Sequence, residues 1–162
     1  RSKGAEVEIV RAASLKYKTT GCVSCRHCQE SELYECAIDD EAKPVLARMA
    51  GVDVIVMATP LYFFAASAQL KLIMDRMFSL YKWDNVAGTM RTPLKGKIMI
   101  LLASAYENVG LDVLEKPFAL TAEYTGMSFE SLLVGDAGVS GDIKKKVGIR
   151  ERTIVLGEKI AG

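Results

Sequence analysis

Two stretches of this chain are too continuously apolar to lie in a sheet with one wet face. Val52 to Ala58 (VDVIVMA) and Ile98 to Ala103 (IMILLA) read as strands buried on both sides, the pattern of a parallel sheet covered by helices. Around them, strand-like runs alternate with helical periodicity. Ala5 to Val10 (AEVEIV) alternates and is β-branched, hence a strand. Asp39-Asp40 offers an N-cap, and Pro44 a first-turn residue, for a helix over about 41–50 that Gly51 ends. From about Ala66 to Tyr81, with Ser67 as cap, Leu70, Ile73, Met74, Met77, Phe78 and Tyr81 recur at helical spacing. A loop containing Gly88, Pro93 and Gly96 follows. Leu111 to Thr125 is amphipathic; Pro117 is expected to kink it or delay its start, and Gly126 suits its C-terminal end. Phe129 to Val134 is a further strand, and a closing helix over about 142–161 is expected to break near Gly148. With no repeat, low-complexity tract or linker, this order predicts one α/β domain over residues 1–162, an open parallel sheet with helices on both faces. Ligands of such sheets bind beyond the carboxyl ends of the strands. Three loops meet that description: the cysteine-rich loop over residues 21–38, Thr59 to Phe64, and Ser104 to Gly110.

The chain's whole thiol supply lies in Gly21 to Cys36, GCVSCRHCQESELYEC. Cys22, Cys25, Cys28 and Cys36 are spaced C-x2-C-x2-C-x7-C. Three thiols at that spacing converge when a short irregular backbone turns them to one side, as in ferredoxins that hold three corners of a [4Fe–4S] cluster, and Cys36 is placed to close the fourth. Zinc is a rival, although a four-thiolate zinc site normally pairs two C-x-x-C knuckles across a longer gap. Disulfides and a reduced, metal-free loop are the other readings. His27, the single histidine, reads as a supporting or surface residue, since four thiolates already suffice.

Length and charge bound the rest. At 162 residues with net charge +1, the chain has room for a real core and no electrostatic footprint for nucleic acid. Lys144-Lys145-Lys146 reads as a solvated helix start. No apolar run reaches membrane-spanning length, so no membrane association is expected, and the cysteine usage points to the cytoplasm.

Thr59 to Arg76, TPLYFFAASAQLKLIMDR, resembles the signature P-x-Y-x-x-x-x-S-A-x-L-K-x-x-x-D-R of the NAD(P)H-dependent FMN reductases with a flavodoxin-like fold. Pro60, Tyr62, Ser67, Ala68, Leu70, Lys71, Asp75 and Arg76 carry the match. Pro93 to Lys97 (PLKGK) before a strand and Gly126-Met127 after a helix are similar to that family as well. Within it, the cysteine-rich loop resembles the compact motif of the iron–sulfur flavoproteins. The resemblance implies FMN contacts from Thr59, Pro60, Leu61, Tyr62 and Phe63 and from Ser104, Ala105 and Tyr106, with Cys22, Cys25, Cys28 and Cys36 as cluster ligands. It implies electrons taken from a ferredoxin-like donor or NAD(P)H, a small-molecule acceptor, and a homodimer or homotetramer in which a neighbouring subunit completes the flavin site.

Plain structural roles compete for several of these residues. Tyr62, Phe63 and Phe64 also suit a core or interface, as do Tyr81 and Trp83; Lys71 and Asp75 are placed for a surface ion pair. Gly135 to Gly141 lacks the lysine and hydroxyl of a phosphate loop and reads as an ordinary connection. No general acid or base stands out, so no catalytic side chain is named. The family's opening strand, its S-P-R-x-x-G-N-T-like phosphate loop and its first helix have no counterpart in the sequence. The expectation is therefore that about 30 residues precede Arg1 in the natural protein, the size of a βα unit. The strand at 5–10 would then be split from the others.

Overall fold

A computed structural model describes residues 4–160. Three parallel strands form its centre: β1 (Val54–Pro60), β4 (Ile98–Ser104) and β5 (Ser128–Val134), in the order β1-β4-β5. Val54 to Pro60 pairs with Ile98 to Ser104 without a slip, and those residues pair with Ser128 to Val134 in the same way. The two apolar runs and the strand expected at Phe129 to Val134 thus become the three central strands.

Helices α2 (Ala42–Met49), α3 (Ala68–Arg76) and α4 (Leu111–Thr125) cover one face of the sheet. Leu46, Leu70, Ile73, Leu114 and Phe118 meet Ile55, Met57, Met99 and Leu101 there. The Ser67 hydroxyl accepts from Leu70 N and caps α3, as the sequence implies. Past Arg76 the helix tightens into a 3-10 turn, Met77–Leu80. Pro117 sits inside α4 without ending it, so it neither delays the start nor breaks the run. α5 (Asp142–Lys145) and α6 (Ile149–Ile160) flank Gly148, and α6 lies on the opposite face beside Glu130 and Leu132. α1 (His27–Glu30) is one turn within the cysteine loop.

Three expectations need correction. Residues 5–10 join neither sheet. Alternation selects a conformation, but a strand also needs a neighbour whose backbone groups face its own, and neither sheet supplies one. The stretch from Lys82 to Arg91 is not plain loop: β2 (Lys82–Asp84) and β3 (Thr89–Arg91) form an antiparallel hairpin. Finally, β1 is not buried on both sides. Val56 is half-exposed and Ala58 exposed, because α6 shields only the β5 side of that face.

Candidate functional site

The cysteine loop is folded by left-handed residues and tied down by its neighbours. Ser24 (φ 54°) and Arg26 (φ 62°) flank Cys25 in the left-handed region, which is uncommon for residues bearing a Cβ. Those reversals let closely spaced thiols share one direction. The Gln29 side chain fixes the loop from below: its amide donates to Tyr81 O (2.9 Å) and its oxygen accepts from Trp83 N (3.3 Å). Lys82 Nζ donates to the Cys28 carbonyl and stands 5.7 Å from the Tyr34 ring centre.

All four cysteines line one cavity, together with Val23, Ile38, Arg76, Phe78 and Ser79. Cys28 and Cys36 are buried, Cys22 and Cys25 exposed, and none is disulfide-bonded. Burial pushes the Cys28 thiol up, against the hydrogen bond from Gln29 and the charge of Lys82.

Arg76 closes the inner wall. It is 1% exposed, and its Nη1 donates to Asp40 Oδ2 at 2.8 Å while Nη2 donates to the Ile38 carbonyl at 3.2 Å. Asp40 also accepts from Lys18 N and Ala42 N. Burial alone would raise the Asp40 carboxyl; Arg76 and those two amides outweigh it and hold it below the usual carboxylate range. Arg76 Nε has no hydrogen-bond partner, the one buried side-chain nitrogen or oxygen among the described residues in that state. The Cys36 thiol interacts with the same guanidinium.

Among the described residues, no three His, Cys, Asp or Glu side chains stand close enough to share one metal ion. A tetrahedral zinc with bonds of about 2.3 Å draws its thiolates to about 3.8 Å apart. A four-iron centre is wider, and each thiolate meets a different iron. The side chains present would suit an anionic multi-iron body: four thiols around one space and a buried guanidinium N–H without a partner.

The second group of expected residues gathers at the carboxyl ends of β1 and β4. Pro60 pairs with Ser104, and Leu61 N donates to Ser104 O at 2.7 Å. Ala105 N donates to Val134 O, and Ala137 N to Ala105 O, so the loop after β5 joins the same cluster. Thr59 and Ala105 are buried. Thr59 Oγ1 accepts from Ser67 N and donates to Pro60 O, spending its hydroxyl on the loop itself. Tyr62 and Ala65 exchange both backbone hydrogen bonds at 3.0 Å across Phe63 (φ 46°) and Phe64 (φ 63°). That is the turn geometry normally given to Asn-Gly. It leaves Tyr62 and Tyr106 exposed and Phe63 fully so.

Two glycines that the sequence reading passes over are required here. A Cβ on Gly110, whose φ is +76°, would fall 2.3 Å from the Phe64 ring. A Cβ on Gly138 would fall 2.0 Å from the Tyr106 ring. The available signal was the glycine-rich GDAGVSG segment, which reads as a plain connection because glycine's use in close packing depends on a neighbour distant in sequence. The structure does not merge the two residue groups. The cysteine cavity meets the C-terminal end of α3, whereas the Thr59–Phe64 turn precedes its start, about 12 Å of helix away.

The family profile of the NADPH-dependent FMN reductases matches residues 1–130. The chain belongs to that family. Among curated relatives of this FMN reductase family member, an iron–sulfur flavoprotein of Methanocaldococcus jannaschii is 35% identical over 74 residues, covering 46% of this chain and 36% of the relative. A Bacillus subtilis protein described as a candidate NAD(P)H-dependent FMN-containing oxidoreductase is 26% identical over 114 residues, covering 65% and 59%. The chain therefore spans less than two thirds of either relative, about a third of the first. Solved structures share the fold at lower identity. RosB, solved with a riboflavin-phosphate intermediate bound, superposes with TM-score 0.62 at 19% identity over 93% of this chain and 60% of its own. An NADPH-quinone reductase from P. pentosaceus gives 0.52 at 20% identity over 76% of each chain. These likenesses establish a flavodoxin-like α/β fold. Among the described residues, no helix is long and apolar enough to cross a membrane.

Proposed function

We propose that this chain is the redox part of a flavin-dependent oxidoreductase that uses FMN beside a [4Fe–4S] cluster. FMN would lie at the ends of β1 and β4, against Thr59, Pro60, Leu61, Tyr62 and Phe63 and against Ser104, Ala105 and Tyr106. Cys22, Cys25, Cys28 and Cys36 would hold the cluster. One observation carries the cluster: the four cysteines line a single cavity together with the buried Arg76, whose Nε–H has no partner. FMN supplies two-electron chemistry and a cluster one-electron chemistry, and the chain supplies placement and potential. The Thr59–Ser67–Pro60 hydrogen bonds hold the first flavin loop rigid, and the Leu61–Ser104 bond holds it against the second. Electrons would come from a ferredoxin-like donor or NAD(P)H and pass to a small-molecule acceptor.

Because about 12 Å of α3 separates the two sites within one chain, a homodimer or homotetramer would help if it set one subunit's cysteines beside another's flavin. The exposed rings of Tyr62, Phe63, Tyr106 and Trp83 supply apolar surface for that contact. Light scattering on the purified protein checks it: a monomer at micromolar concentration removes the subunit-bridging arrangement.

A cluster-free NAD(P)H-dependent FMN or quinone reductase is the second reading. It is favoured by the exposure of Cys22 and Cys25. Anaerobic purification separates the two. Iron and acid-labile sulfide with bound flavin support the cluster protein, and flavin alone supports the simple reductase. Zinc without flavin would support neither and would point to a zinc-stabilised binding module. Cys25→Ser is expected to remove the iron and keep the flavin. Loss of both together would overturn the assignment of separate sites.

A further inference from the structure

Arg76 and Lys82 are two buried cations near the cysteines, 1% and 3% exposed: Arg76 lines the thiol-bearing cavity, and Lys82 stands behind it on the Cys28 carbonyl. Their surroundings differ. Arg76 gives Nη1 to Asp40 and Nη2 to the Ile38 carbonyl, so its charge has a carboxylate partner while its Nε–H has none. Lys82 gives Nζ to the Cys28 carbonyl and faces the Tyr34 ring, with no carboxylate in contact among the described residues. A buried ammonium without a counter-charge is costly, and so is a buried N–H without an acceptor. An unpartnered N–H on the wall of a thiol-lined cavity, with an ammonium held behind Cys28, points to an anion bound there. Thiolates around an iron–sulfur body are such an anion, and hydrogen bonds to sulfur together with local charge set the potential of that kind of centre.

We propose that Arg76 and Lys82 are positioning residues that raise the reduction potential of the cysteine-held centre, Arg76 by donating Nε–H to the Cys36 sulfur and Lys82 by its uncompensated charge beside Cys28. This rests on the cluster reading above. Electron uptake adds one negative charge to the centre. A positive charge or an N–H dipole fixed nearby stabilises that more negative state most, and a dry site screens it least. The pair thereby biases the cysteine site toward accepting electrons rather than giving them at low potential.

The test uses anaerobic wild-type protein reconstituted with iron and sulfide. Its midpoint potential is read from absorbance or paramagnetic resonance during titration with dithionite and redox dyes. Lys82→Met and Arg76→Lys are compared with it. The second change keeps a cation for Asp40 and removes the Nε donor. Both are expected to retain wild-type iron and sulfide and to shift the midpoint to lower potential, and Lys82→Arg is expected to restore the wild-type value. Should Lys82→Met lose the centre instead, recovery of iron in Lys82→Arg supports the inference, and failure to recover overturns it. Unchanged midpoints in both Lys82→Met and Arg76→Lys, at wild-type iron content, overturn it while leaving the cluster assignment intact. A wild-type protein that takes up no iron and sulfide overturns the cluster assignment, and the inference with it.

Discussion

Asp40 shows how much one carboxylate can organise. It joins Arg76 at the end of α3 to the start of α2 through Ala42 N, and it fixes Lys18 N ahead of the cysteines. Both members of the ion pair are buried. Removing one partner of such a pair strands the other charge, at a cost of about 3–5 kcal/mol. Asp40→Asn is therefore expected to lower unfolding stability by that order, read from urea midpoints at neutral pH. The pH dependence has a definite sign. The folded carboxyl lies below its ordinary value, so the unfolded chain takes up a proton first as pH falls. The stabilisation is complete above the unfolded value of about 3.9 and is lost as pH falls through the folded one. Wild-type midpoints should thus decline below about pH 4 more steeply than those of Asp40→Asn. Equal slopes would show that Asp40 does not carry this titration. None of this pairing was legible beforehand. The sequence marks Asp40 as a helix cap and Arg76 as the end of a signature, but nothing local says that two residues so far apart in the chain share one buried contact.

At the scale of elements, continuous apolar runs were readable and short pairings were not. β1, β4 and β5 stand within two residues of the expected spans because seven-residue strands against a helical layer must be apolar. β2 and β3 are three residues each, too short to show a period. Their hairpin is set by the turn, where Asp84 Oδ1 accepts from Val86 N and Ala87 N. The Tyr62–Ala65 turn was equally hidden, since aromatic residues are poor candidates for two successive left-handed positions. Such strain concentrates where function constrains the backbone, at about 1–3 kcal/mol per residue. Phe63 is fully exposed and has little packing to lose. Phe63→Asn should raise stability by about 1 kcal/mol, because Asn tolerates this region better. On the proposed site it should also weaken FMN retention, measured by flavin fluorescence after dialysis. A destabilised Phe63→Asn would show that the turn is not strained. Gly138→Val carries the complementary expectation: its Cβ meets the Tyr106 ring at 2.0 Å and the Tyr106 Cα at 2.9 Å, so the loop after β4 shifts and FMN retention falls while the helix and strand content read by circular dichroism is unchanged. Full flavin retention in that variant would remove Tyr106 from the site.

For the molecule as a whole, the two faces of the sheet are unequal, and the inequality predicts where the protein opens. One face carries α2, α3 and α4 around Leu46, Met99, Leu101 and Phe118, all with almost no exposure. The other is met by α6, which has no buried residue. Its ion pair to the sheet, Lys159 with Glu130, is largely exposed on the lysine side and adds about 0–1 kcal/mol at most. Local stability follows buried apolar contact, and thinly packed elements open at a small fraction of the global free energy. Hydrogen exchange on the intact protein should therefore divide into two classes. The amides of α6 are expected to exchange at rates set by local fraying, nearly independent of denaturant. Those of β4 and the middle of α4 should exchange only through global unfolding, with the full denaturant dependence. Phe118→Ala, which empties the main core at a cost of about 3–5 kcal/mol, should accelerate the second class and leave the first unchanged. If α6 instead slows with β4 and responds to Phe118→Ala, the second face is a working part of the core and opens only with it.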